Sequence, residues 1–137
     1  MAIISFSNYK RGQTTGYMGA VMRYTMQDKK AEFDGQLLVT SINCQPESVY
    51  ADFMTTKQLY HKTDGVLFYH MVQSFPKGEV IDPVTAHAAA LKLVEYYEGY
   101  EVLGCTHTDR EHIHSHFLIN SVNFDTEKKL HIAKEQL

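Results

Sequence analysis

The sequence predicts an α+β domain: one mainly antiparallel sheet with helices on one of its faces. Two observations carry this reading. Hydrophobic periodicity alternates between the strand and helix patterns, giving the order β-α-β-α-β-α-β-β over 137 residues. The last two strands are joined by too short a segment for a crossover, so they pair antiparallel. An apolar content of 44% suits one domain with a sizeable core, and no repeat, linker or low-complexity stretch divides the chain.

Ala2 to Asn8 reads as a strand, with Ile4 and Phe6 alternating against Ser5 and Ser7. After a polar loop from Lys10 to Gln13, Thr14 or Thr15 caps a helix running to about Gln27. Its apolar stripe is Met18, Val21, Met22 and Thr25. Tyr24 falls at the edge of that stripe beside Tyr17, where its ring can pack while its hydroxyl faces a cleft. A charged loop from Ala31 to Gly35 leads into a strand from Gln36 to Asn43. Pro46 opens a helix with Val49, Phe53, Thr56 and Tyr60 on one face. Asp64-Gly65 turns the chain into a long strand, Val66 to Phe75, apolar on both faces and therefore central. Asp82 caps the next helix, Pro83 opens it and Gly99 stops it. The final strand pair follows, and Lys128 onward reads as a further helix.

No apolar run is long enough to cross a bilayer or to act as a signal peptide. Cys44 and Cys105 lie in strand-like contexts without C-x-x-C spacing and read as reduced thiols. These features predict a cytoplasmic protein without membrane contact. The net charge is −3, but residues 1 to 30 sum to +4 and the rest to −7. A basic N-terminal region suits phosphate contacts as well as it suits a dispersed surface charge.

The stretch from Cys105 to Phe124 concentrates the chemistry. It holds His107, His112, His114 and His116, four of the eight histidines in the chain. His112, His114 and His116 alternate with Ile113 and Ser115, so on a strand they share one face. An even-length turn puts His107 on that face as well, and an odd one flips it away. With Arg110-Glu111 as a two-residue turn, His107 stands opposite His114 and Asp109 opposite His112. Three imidazoles with an acid beside them suit a divalent ion with open coordination positions. This places a histidine-cluster metal site, His107, His114 and His116, on the sheet face opposite the helices. The ion expected is Mg²⁺ or Mn²⁺, with Ni²⁺, Co²⁺ or Zn²⁺ also accepted in vitro.

The motif His107-Thr108-Asp109-x-x-His112-x-His114-x-His116, with Asn120 beyond it, resembles the third motif of mobilisation relaxases. These enzymes belong to the His-hydrophobic-His endonuclease superfamily, and the branch is that of MobA and the Agrobacterium border endonuclease. Ser115 departs from the usual hydrophobic residue between the last two histidines. Ala20-Val21-Met22-Arg23-Tyr24-Thr25 resembles the family's first motif, which carries the nucleophilic tyrosine. The resemblance implies a relaxase domain over residues 1–137, an N-terminal fragment of a longer protein. It implies nicking and religation of one DNA strand at an origin of transfer through a 5′-phosphotyrosyl intermediate, mobilising a plasmid or integrative element. Single-stranded DNA and accessory relaxosome proteins are the implied partners.

On that reading Tyr24 is the nucleophile, with Tyr17 second to it; without the resemblance a helical tyrosine is more often core. Asp109 either orients His107 or His114 or caps the turn. His112 is either a proton-transfer group or a surface residue. His70, on the long strand, is able to approach the site, and Asn120 is in phase with His116 to bind phosphate or order the site. Lys10, Arg11 and Arg23 are the candidate DNA contacts. His87 reads as structural, and His61 and His131 as solvent-facing. Two other functions compete: a rolling-circle initiator of the same superfamily, and a non-catalytic metal- or DNA-binding module. Most initiators place the tyrosine helix after the histidines, whereas here it comes before them.

Overall fold

The computed structural model describes residues 2–7, 13–76, 82–109 and 112–132. Five strands form one antiparallel sheet: β1 (Ile3–Phe6), β4 (Val39–Ile42), β5 (Phe68–Ser74), β6 (Val102–His107) and β7 (His114–Asn120). Their order across the sheet is β1-β5-β7-β6-β4. The helices are α1 (Thr15–Thr25), the short α2 (Asp28–Ala31), α3 (Val49–Leu59) and α4 (Pro83–Val94). A second, two-stranded ribbon pairs β2 (Glu32–Phe33) with β3 (Gln36–Leu37). The expected charged loop there is thus a hairpin. Its turn is Asp34-Gly35, both at positive φ (51° and 79°), the geometry that Asp-Gly favours.

The helix starts follow their capping residues. The Thr14 hydroxyl accepts from Tyr17 N at 3.0 Å, and Asp82 accepts from Thr85 N at 3.1 Å. At the other end of α4 the expected stop at Gly99 is late. The helix ends at Val94, and Gly99 (φ 84°) instead turns the chain toward β6. A side chain there would meet Asn123, whose amide is fixed by Glu98 O and by the backbone N–H groups of Asp125 and Thr126.

The sheet is covered on both faces, which corrects the expectation of helices on one face only. Leu103, Cys105 and Leu118 pack against Met18 and Met22 of α1 and Val49 and Phe53 of α3. The alternate residues Val102, Phe117 and Ile119, with Tyr69 and Met71, pack against Ala90 and Val94 of α4. The histidine-bearing face is therefore the one that α1 and α3 cover. The physical reason is that β6 is buried along its whole length and β7 along most of it. Strands apolar on both sides need a layer on each.

The expected helix from Lys128 is also corrected: Lys128 to Ile132 is not helical, and Lys129 bridges Val122. Residues 133–137 lie outside the described residues. No helix among the described residues is long and apolar enough to cross a membrane.

Candidate active site

The β6–β7 hairpin sets the site. His107 pairs with His114 and Cys105 with His116, the register that an even turn dictates. Arg110 and Glu111 lie outside the described residues. His107, His114 and His116 share a face, and the His107 and His116 ring centroids are 4.3 Å apart. His112 falls before the strand rather than on it, with its ring 6.0 Å from that of His114.

α1 closes one side. Thr25, its last residue, turns its hydroxyl back to Val21 O and Met22 O. Its own carbonyl, at the negative end of the helix, accepts from His107 Nε2 at 2.9 Å. That bond fixes the proton on Nε2 and leaves Nδ1 without a hydrogen. His70 of β5 bonds His116, Nε2 to Nδ1 at 2.8 Å, so the sequence-predicted approach of His70 is realised. Burial, then His107 and His70, pulls the His116 imidazole down to about 3. Burial, then His107, pulls His70 to about 4, and His107 too is lowered, chiefly by burial. All three shifts favour the neutral imidazole, the form that ligates a metal.

A cavity of about 250 Å³ is lined by Tyr24, Lys30, His107, Asp109, His114 and His116. Tyr24 is 50% exposed at its rim, and its ring stands edge-on to His107, with centroids 6.5 Å apart. Tyr17 packs by Phe68 and does not line this cavity. Asp109 forms an ion pair with Lys30 at 3.3 Å. Burial pushes the Asp109 carboxyl up, but Lys30 and His107 outweigh it and hold the group below its ordinary value.

Asn120 is in phase with His116 yet lies away from the cavity. It is fully buried, and it bonds Lys57, Glu101 Oε1 and Phe53 O in a network between α3 and the sheet. Arg23 is exposed on α1, with its guanidinium over Gly19. Lys10 and Arg11 lie outside the described residues. His87 bonds Thr40 and Thr106, each at 2.8 Å, beneath the other face. Thr106 in turn bonds Ser115 at 2.8 Å. The serine that departs from the hydrophobic pattern is thus a buried partner in a hydroxyl–imidazole chain.

The donor chemistry suits a divalent ion. An imidazole tied through one ring nitrogen to a carbonyl or similar partner, with its other nitrogen free, is the usual state of a ligating histidine. His107 fits this through Thr25 and His116 through His70. Among the described residues, no three His, Cys, Asp or Glu side chains stand, as placed, in a ligand set. Sequence reasoning missed Lys30, which entered only as part of the basic N-terminal sum. Only the fold carries α2 across the chain to Asp109.

Tyr24, His107, His114 and His116 all lie within the span that a known family of domains covers. The family described as "Relaxase: MobA/VirD2-like, nuclease domain" matches residues 24–137, and the chain belongs to that family. A Protein rlx of Staphylococcus aureus is 37% identical over 98 residues, which cover 71% of this chain and 31% of that protein. A second Protein rlx of the same species is 35% identical over 97 residues, covering 71% and 30%. The Group II intron-interrupted relaxase LtrB of Lactococcus lactis subsp. cremoris is 33% identical over 92 residues, covering 66% and 16%. The chain spans less than a third of the length of these relatives. No solved structure gives a significant match.

Proposed function

We propose that this domain nicks and rejoins one DNA strand at an origin of transfer, with Tyr24 as nucleophile, and so initiates mobilisation of a plasmid or integrative element. The observation that carries this is the half-exposed Tyr24 phenol at the rim of the cavity that His107, His114 and His116 line. Membership of the relaxase family supports it.

The Tyr24 phenol gives up its proton as its oxygen attacks the scissile phosphorus, the P–O3′ bond breaks, and its electron pair leaves with the 3′ oxygen, which takes up a proton. The products are a free 3′-hydroxyl and a 5′-phosphotyrosyl link. A phenolate leaves more readily than an alkoxide, so a later attack by a 3′-hydroxyl reseals the strand without ATP. His107 Nδ1, His116 Nε2 and His114 would hold a divalent ion, Mg²⁺ or Mn²⁺, which supplies stabilisation of charge on the phosphate oxygens. His70 and the Thr25 carbonyl orient the two imidazoles they touch. Asp109 holds Lys30 at the rim. Arg23, with Lys10 and Arg11, is assigned to the DNA backbone, where basic side chains position a strand without reading its sequence. Accessory proteins would complete the assembly at the origin.

Calorimetric titration with Mn²⁺ tests the histidine assignment. Wild-type protein should bind one ion, and His114→Ala and His116→Ala should each lose at least about tenfold in affinity. Unchanged affinity in both variants would refute the three-histidine site. With an oligonucleotide carrying its nick site, EDTA should stop formation of the free 3′-hydroxyl product.

A further inference from the structure

Lys30 enters the cavity from α2, and its backbone is fixed to the loop after β6. Its carbonyl accepts from Thr108 N at 2.7 Å. Its side chain runs over the Tyr24 ring, with Nζ 4.6 Å from the ring centroid, and meets Asp109 Oδ2 at 3.3 Å. The other residues lining this cavity are imidazoles, a phenol and a carboxylate. Among the described lining residues, Lys30 alone carries a permanent positive charge. A single ion pair at an open rim contributes little to folding, so stability does not explain why the ammonium is held here. An ammonium has three N–H donors; Asp109 and the Tyr24 hydroxyl engage it, leaving one for an incoming anion.

We propose that Lys30 is a catalytic residue of the nicking reaction, donating to a non-bridging oxygen of the scissile phosphate. The Tyr24 ring and Asp109 hold its ammonium at the cavity rim, next to where the non-bridging oxygens of the phosphate carry negative charge as the tyrosine bonds to phosphorus. This inference rests on the nicking function proposed above and assigns the site a second phosphate-binding group from this chain.

The test is single-turnover cleavage of an oligonucleotide carrying the nick site, by wild type, Lys30→Met and Lys30→Arg. The scissile phosphate is supplied as the oxygen form and as each phosphorothioate diastereomer. Lys30→Met should slow the oxygen substrate by about 100-fold, the usual loss on deleting one preorganised donor to a developing oxyanion. Its affinity for an uncleavable oligonucleotide and for Mn²⁺ should stay within about threefold of wild type. Lys30→Arg should recover most of the rate. Sulfur accepts hydrogen bonds poorly, so in wild type the diastereomer facing Lys30 should be cleaved slowly. In Lys30→Met that selective penalty should disappear. Wild-type rates in Lys30→Met, a loss confined to DNA affinity, or unchanged sulfur penalties for both diastereomers would each overturn the assignment. Wild-type protein that forms no covalent adduct would instead overturn the nicking function, and this inference with it.

Discussion

Tyr24→Phe should abolish covalent capture of DNA and lower strand cleavage by a factor of about 10⁴ or more, as removal of a nucleophile does in other covalent enzymes. The substitution is close to a deletion of one hydroxyl. Tyr24 is half exposed, and Met18, Met22 and Thr25 anchor α1 without it. A phenyl ring still offers Lys30 its π face, so the rim of the cavity keeps its shape. Melting temperature and Mn²⁺ binding should match wild type. Nick-and-join assays on a labelled oligonucleotide give the result directly. Cleavage by Tyr24→Phe at the wild-type rate would mean that water, not tyrosine, attacks the phosphate.

Lys57→Met should destabilise the fold by about 3 kcal/mol, in the range for removing the donor from a buried hydrogen-bond network. Lys57 has no solvent exposure, and its ammonium donates to Leu67 O, Asn120 Oδ1 and Ser121 Oγ. Glu101 lies in the same network, held by Thr56 and Asn120. Methionine fills most of the volume but leaves these acceptors short of a donor in a dry interior. Urea unfolding should show a lower midpoint with an unchanged slope. Burial pulls the Lys57 pKa down to about 7 from 10.5. Between these values the unfolded chain binds more protons than the folded one, so stability rises with pH across that window. Lys57→Met should remove this rise, worth about 2 kcal/mol between pH 7 and 9 in wild type. A variant within about 0.5 kcal/mol of wild type would show that the network does not depend on the Lys57 amine.

The histidine register was legible because it depends on counting alone. Side chains alternate on strands, and a connection of even length puts His107 opposite His114. The cap residues Thr14 and Asp82 were legible for a similarly local reason. The second helical layer was not read, although the signal was present in the long strand, which is apolar on both faces. Lys57 was hidden because a lysine at helical spacing reads as solvent-facing; only the fold shows that three acceptors converge on it. Asn120 was read toward the site because it is in phase with His116, but four further residues along β7 carry it into the core. Lys30 was missed because its partner Asp109 is distant in sequence, and the two meet only when α2 packs against the end of β6.

The central claim is that Tyr24 and the three histidines form one reaction centre. The most direct measurement is peptide mapping by mass spectrometry after wild-type protein, Mn²⁺ and an oligonucleotide carrying the nick site have reacted and the DNA has been trimmed with nuclease. The account predicts a nucleotide mass on the peptide containing Tyr24, and none when EDTA is present. An adduct on Tyr17 or any other tyrosine, or full cleavage with no adduct at all, would contradict it.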